Sequence, residues 1–330
     1  MSKPNPTSRF PDVSRRSFVL ATAAAGATQA LGGQDNAPPI PIIDTHIHLF
    51  DATRPQGAPY AGPGGDSPTV SLPHHYRILA EPLGIVGAVK VEASPWVEDN
   101  LWALQVAQSD PMIVGVIGNL RPEKSEFKEY INRHGRNPLF RGIRYGNLWG
   151  YDLAEQAGNP VFIDGLKRLA DADLVLDSAN PNVKLLQAII RVNDQVPKLR
   201  IVIDHLPAME PTPTERSGYD QALAELKQRS NVFVKLSTVI HRVNGSVSTD
   251  LSSHRDRLDE LMSVFGEDRV IFGSDWPNSD GVTSLDKIVN IVREYFAAKP
   301  RRVAEKYFWR NSANVYKWIH RAENQPIARD

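Results

Sequence analysis

Two histidines one residue apart, His46 and His48, close a short β-branched run that begins Pro41-Ile42-Ile43-Asp44. In a strand, residues i, i+2 and i+4 share a face, so Asp44, His46 and His48 are expected to project together. Imidazoles placed in this way converge on one ion, zinc above all, or on one carbonyl oxygen. The same spacing also describes a polar strand end with exposed histidines, and only matching groups elsewhere in the chain separate the two readings. Such groups exist. Later apolar runs end in Lys90 and Glu92, in Arg141 and Arg144, and then in Asp177, His205, Lys235 and Asp275. Ionisable side chains that end otherwise apolar strands are costly as core and easier to explain as a site.

Each of these groups needs an element to hold it. Strands are expected over 42–46, 84–92, 112–119, 140–145, 174–177, 199–205, 232–237 and 270–274, all rich in Val and Ile. Interiors of that kind suit parallel strands buried on both faces. Between them, 219–228, 255–265 and 284–296 repeat apolar residues at helical spacing, and Pro181-Asn182 suits the first turn of another helix. Eight strand–helix alternations in one chain predict an α/β fold, a single (β/α)8 TIM barrel over residues 37–330, with an open doubly wound sheet as the alternative. In a barrel the carboxyl ends of the strands surround one mouth, which is where active sites are built. Two long loops leave that face, the Pro- and Gly-crowded 54–73 and 207–217, and either suits a lid.

Groups of these types at one mouth could activate a water and polarise a carbonyl. Asp275 is the expected base, since an oriented carboxylate accepts a proton from water. A metal would acidify that water and polarise a carbonyl; without one, His46, His48 and His205 would donate hydrogen bonds to the carbonyl oxygen. Arg141 and Arg144 suit a carboxylate or hydroxyls of a substrate, although their spacing fits one strand face poorly and one is expected to be structural. Lys90 and Glu92 share a face and either touch substrate or pair with each other. Trp149 and Tyr145, close behind the fourth strand, would floor a ring pocket or pack within a loop. Plainer roles stay open for the rest: Asp275 as a helix cap, His205 as a core histidine, Lys235 as a buried partner of Asp177 or Glu92.

Composition narrows the function classes. The chain has 330 residues, 41% hydrophobic, with 38 basic and 38 acidic side chains and no cysteine. Zero net charge removes the electrostatic motive for nucleic-acid or anionic-membrane binding. Disulfides, thiolate metal sites and cysteine nucleophiles are excluded together. No nucleotide-binding glycine loop or Gly-x-Ser-x-Gly elbow is present; the cluster Gly62-Pro63-Gly64-Gly65 lacks a strand before it. Residues 1–36 read as a signal peptide: Arg15-Arg16 resembles the twin-arginine export motif, and the Ala-rich run after it is too short for a stable membrane anchor. A periplasmic location follows as the expectation, with a small-molecule partner, anionic or polyhydroxylated, and a homo-oligomer left open.

Four segments carry a resemblance: 43-IDTHIH-48, 141-RGIR-144, 203-IDH-205 and 271-IFGSDWP-277. With them the mature chain resembles the amidohydrolase superfamily, in the branch of amidohydrolase-2-type proteins that includes sugar-lactone and pyrone-dicarboxylate lactonases. The resemblance implies a hydrolase that opens a cyclic ester. It also exposes a departure. Many members carry a histidine on the fifth strand and a bridging lysine or glutamate on the fourth, where this chain has Asp177 and two arginines. That implies at most one divalent ion, held by His46, His48 and others among His205, Asp177 and Asp275, or a metal-free site. Two other functions fit the same resemblance: decarboxylation of an unsaturated carboxylic acid, and binding of a sugar acid or metal without turnover.

Overall fold

The computed structural model describes residues 38–60 and 69–327. The export segment 1–36 and the glycine cluster 62–65 lie outside the described residues. Eight parallel strands follow one another around a nearly closed barrel, each paired with the next in sequence. They are β1 (Ile42–His48), β2 (Ile85–Val91), β3 (Ile113–Gly118), β4 (Phe140–Arg144), β5 (Val175–Ser178), β6 (Ile201–Ile203), β7 (Val232–Lys235) and β8 (Val270–Ile271). A helix follows each: α1 (Pro73–Ala80), α2 (Asp99–Ser109), α3 (Phe127–His134), α4 (Pro160–Asp171), α5 (Val183–Gln195), α6 (Arg216–Lys227), α7 (Arg255–Phe265) and α8 (Leu285–Ala297). The expected (β/α)8 architecture is therefore the observed one.

Local chemistry sets the helix starts. The Asn159 side chain accepts from the Val161 N–H ahead of Pro160, and Asn182 accepts from the Leu185 N–H at 2.8 Å. Pro181 thus stands before the cap and not in the first turn, as its sequence position had suggested. Strand side chains divide into two apolar layers. Ile42, Ile85, Ile113 and Val270 pack outward against the helices. Ile43, Val89, Ile117, Val202 and Ile271 point inward, and Trp309, Tyr316 and Trp318 from the C-terminal segment join them.

Barrel closure between β8 and β1 is irregular. β8 leaves the ladder after Ile271, so the strand expected to reach residue 274 is only two residues long. Its continuation bonds β1 instead. The Thr45 N–H donates to the Phe272 carbonyl (3.1 Å), the Asp275 N–H to the His46 carbonyl (2.9 Å) and the His48 N–H to the Trp276 carbonyl (2.7 Å). The Asp44 carboxylate completes the seam. It accepts from the Ser274 N–H (2.9 Å), the His46 N–H (3.0 Å) and the Tyr76 hydroxyl of α1 (2.5 Å), and it is fully buried. Register on β1 is irregular between Asp44 and Ile47, which turns Asp44 away from the two histidines it was expected to join.

Replacing Asp44 by Ala would strand three buried donors. At roughly 1–3 kcal/mol for each unsatisfied group, the loss should be about 3 kcal/mol or more. Urea unfolding of Asp44→Ala checks this, and a loss below about 1 kcal/mol would show that the seam does not depend on the carboxylate.

Candidate active site

The seam delivers Asp275 to the histidines of β1. Its backbone takes a left-handed φ of 65°, as does His205 after β6 (57°) and Trp149 after β4 (58°). Three non-glycine residues in that disfavoured region at one mouth are a mark of positions over-determined by their surroundings. Asp275 Oδ1 lies 3.2 Å from His48 Nε2, 3.5 Å from His46 Nε2 and 3.9 Å from His205 Nε2. It also accepts from the Asn278 amide at 3.1 Å. His205 is fixed through Nδ1 by the Ser237 hydroxyl at 2.9 Å. His48 donates from Nδ1 to the Glu92 carbonyl at 3.0 Å, which leaves a lone pair on Nε2 facing Asp275.

Arg144 and Glu92 form the opposite wall. The guanidinium holds the Glu92 side chain at 2.7 Å and its carbonyl at 3.1 Å, while Nη1 lies 3.4 Å from His46 Nε2. Burial works against the Arg144 charge, but Glu92 and then Asp204 more than offset it and hold it protonated. Trp149 Nε1 donates to the other Glu92 oxygen at 3.0 Å. Tyr60 covers His48 at 4.9 Å between ring centres and accepts from Asn278. Burial, then Asp275, pushes its phenol well above the ordinary range.

Beneath this cluster sits a second polar layer. Lys235 Nζ is 2.6 Å from Asp177 and 3.0 Å from Asp204, all three fully buried, and Tyr316 donates to Asp177 from below. One ammonium serves two carboxylates. Burial pushes Asp177 up to about 7, whereas Lys235 and His46 outweigh burial at Asp204 and hold it far below the carboxylate range.

Of the residues read from the sequence, His46, His48, His205, Asp275, Arg144, Glu92 and Trp149 meet here. Four do not. Arg141 lies half-buried and donates to the Lys317 carbonyl, near Asp173 and Arg200, which precede β5 and β6; one irregular step in β4 separates it from Arg144. Tyr145 is stacked on Tyr151 and edge-on to Phe162, within the loop and helix packing. Lys90 does not bond Glu92. It faces a small cavity with Arg54, Asp99 and Asn119, where burial lowers its pKa to about 8. Asp177 belongs to the layer below. His241, which follows β7, lies 3.7 Å from Glu210 in a neighbouring cavity of about 670 Å³ that none of the catalytic candidates lines. Tyr60, Asn278 and Asp204 were not singled out as site residues, although Asp204 stands within the quoted segment 203-IDH-205, just past β6.

The donors fit a single metal ion. One atom each from His46, His205 and Asp275 lies within 4.8 Å of the others, a ligand set suited to zinc. His48 Nε2 and Asp275 Oδ1, two acceptors 3.2 Å apart, call for a shared proton or a cation between them. The positions that would serve a second ion are taken, Asp177 by Lys235 and Arg144 by Glu92.

A (β/α)8 barrel carrying three histidines and an aspartate at its mouth is an arrangement suited to hydrolysis. The chain belongs to the amidohydrolase family, whose profile (Amidohydrolase) matches residues 43–318. It is 30% identical to an L-fucono-1,5-lactonase of Burkholderia ambifaria over 72% of this chain and 80% of that one. In fold it is similar to a zinc-bound amidohydrolase from Burkholderia multivorans (TM-score 0.75, 22% identity, 84% of this chain and 100% of that one). A putative 2-pyrone-4,6-dicarboxylic acid hydrolase from Pseudomonas putida also shares it (TM-score 0.66, 20% identity, 85% and 98%).

The site's titration follows from burial. Burial lowers the pKa of His46 and of His205 below the ordinary 6.5. Burial would raise Asp275, but His205, His48 and His46 outweigh it and hold the carboxyl far down. All three groups therefore keep one protonation state as pH falls through the usual histidine range. A profile of kcat/KM should be flat from pH 8 to about 6.5, with its acid limb below 6.5. A limb centred at or above 6.5 would contradict this account.

Proposed function

We propose that the protein opens the ring of a neutral, hydroxylated lactone, a cyclic ester of a sugar acid, with Asp275 as general base. The observation that carries the reading is Asp275 Oδ1 facing three imidazole nitrogens within 3.9 Å. Ionised Asp275 takes a proton from water as the water oxygen bonds to the lactone carbonyl carbon. Histidine N–H groups face the oxygen on which charge develops. Collapse breaks the acyl C–O bond, and the ring oxygen leaves as an alkoxide that takes the proton back from Asp275, giving the hydroxy acid. A divalent ion held by Asp275 with His46, His205 or His48 would polarise the carbonyl and acidify the water.

Charge favours a neutral substrate. Among the described residues the site's cations are already engaged: Arg144 by Glu92, Lys235 by Asp177 and Asp204. Neither Arg141 nor Lys90 reaches the mouth to bind a carboxylate. Tyr60 and Trp149, 6.2 Å apart, offer apolar ring faces beside the polar wall, an arrangement that suits a sugar ring. The lactonase relative from Burkholderia ambifaria supports the same class.

The test is acid release across a panel of aldono-1,5-lactones, L-fucono-1,5-lactone included, together with pyrone dicarboxylates and unsaturated carboxylic acids. Neutral sugar lactones should give the highest kcat/KM. Carbon dioxide release from an acid, or preference for a dicarboxylate, would overturn the reading.

A further inference from the structure

One buried charge takes no part in the chemistry of the mouth. Lys90, next to last in β2, is only 4% exposed. Among the described residues its ammonium has neither a hydrogen-bond acceptor nor a salt-bridge partner. An ammonium presents three donors, and burying it without an acceptor is strongly unfavourable. Burial lowers its pKa to about 8, so at neutral pH the side chain still carries its charge.

The charges around Lys90 do not balance. Glu92 and Asp99 are the anions that act on it, and Arg144 and Arg54 the cations. Both anions are already engaged, Glu92 by Arg144 and Trp149, and Asp99 by Arg54 at 2.9 Å. Lys90 is left as one uncompensated positive charge. Beside it lies a cavity of about 10 Å³, lined also by Arg54, Ser94, Asp99, Asn119 and Trp102. That volume holds one particle of roughly the size of water and excludes a carboxylate, sulfate or phosphate.

Two donors remain free at this cavity. The Ser94 hydroxyl accepts from the Trp96 N–H at 3.0 Å, and its own proton has no acceptor among the described residues. Lys90 supplies the other. The Asn119 amide donates to the Ser94 and Trp96 carbonyls, and the Arg54 guanidinium to Asp99 and the carbonyls of Asp51 and Gly57.

We propose that Lys90 and the Ser94 hydroxyl hold a monatomic anion in this cavity, a halide of which chloride is the abundant one. The ion supplies the acceptor that Lys90 lacks and cancels the excess charge. A water molecule would fill the space and leave the charge standing. With its charge met, Lys90 does not compete with Arg144 for Glu92, so the ion supports the wall of the mouth without touching substrate. The site is tested without turnover.

Thermal unfolding of the full-length protein at neutral pH reads the ion when chloride replaces methanesulfonate, too large for the cavity, at constant ionic strength. The midpoint should rise saturably with chloride, by about 2 °C or more. Lys90→Met keeps the length of the side chain without its charge and should abolish that response. Long-wavelength anomalous maps from crystals grown in sodium chloride locate the ion, with a chlorine peak expected within hydrogen-bond reach of Nζ. A midpoint indifferent to chloride overturns the proposal, as does a response that Lys90→Met retains or a water-like peak without anomalous signal. Should Lys90→Met fail to fold, the wild-type map decides alone.

Discussion

Closure of the barrel between its last and first strands is the constraint on which the site depends. A regular ladder there would have alternated side chains in and out and could not have set Asp275 against both His46 and His48. The chain instead ends β8 at Ile271 and hands closure to the backbone bonds of residues 272–276 with β1. Asp44 makes this tolerable by accepting the two N–H groups that the departure from the ladder frees. Released from the ladder, Asp275 adopts its left-handed backbone and presents its carboxylate to the mouth.

A second constraint is electrostatic. The barrel interior stacks an apolar floor of Trp309, Tyr316 and Trp318, then Asp177, Lys235 and Asp204, then the histidines with Asp275, Arg144 and Glu92. Charges in such a place persist only when paired, because their desolvation costs several kcal/mol each. Two cations face four carboxylates. Burial answers part of this imbalance by pushing Asp177 up to about 7.

Much of this was legible in the sequence, and the rest has a physical reason for being hidden. Strand ends could be read because Val and Ile runs stop at charged residues, which is how His46, His48, His205, Asp275 and Arg144 were found. The position of Asp44 was not legible, because it lies beside a register irregularity that strict alternation cannot anticipate; one of the two arginines was expected to be structural, and Arg141 is that one. Lys90 and Glu92 were rightly placed near one another, but Arg144 competes better for the glutamate through a two-point contact. Tyr145 follows β4 as expected of a mouth residue and yet packs with Tyr151 and Phe162. Tyr60 arrives from a loop with no periodic pattern, so only tertiary structure could bring it over His48.

The central claim is that this carboxylate moves the proton, and Asp275→Asn tests it most directly. Asparagine keeps the shape and can still meet Asn278, but it cannot take a proton from water at neutral pH. With turnover of a sugar lactone and the thermal midpoint measured on one preparation, kcat should fall by about 10² to 10⁴ while the midpoint changes little. An unchanged kcat would contradict the account, as would loss of the fold with full activity per folded molecule.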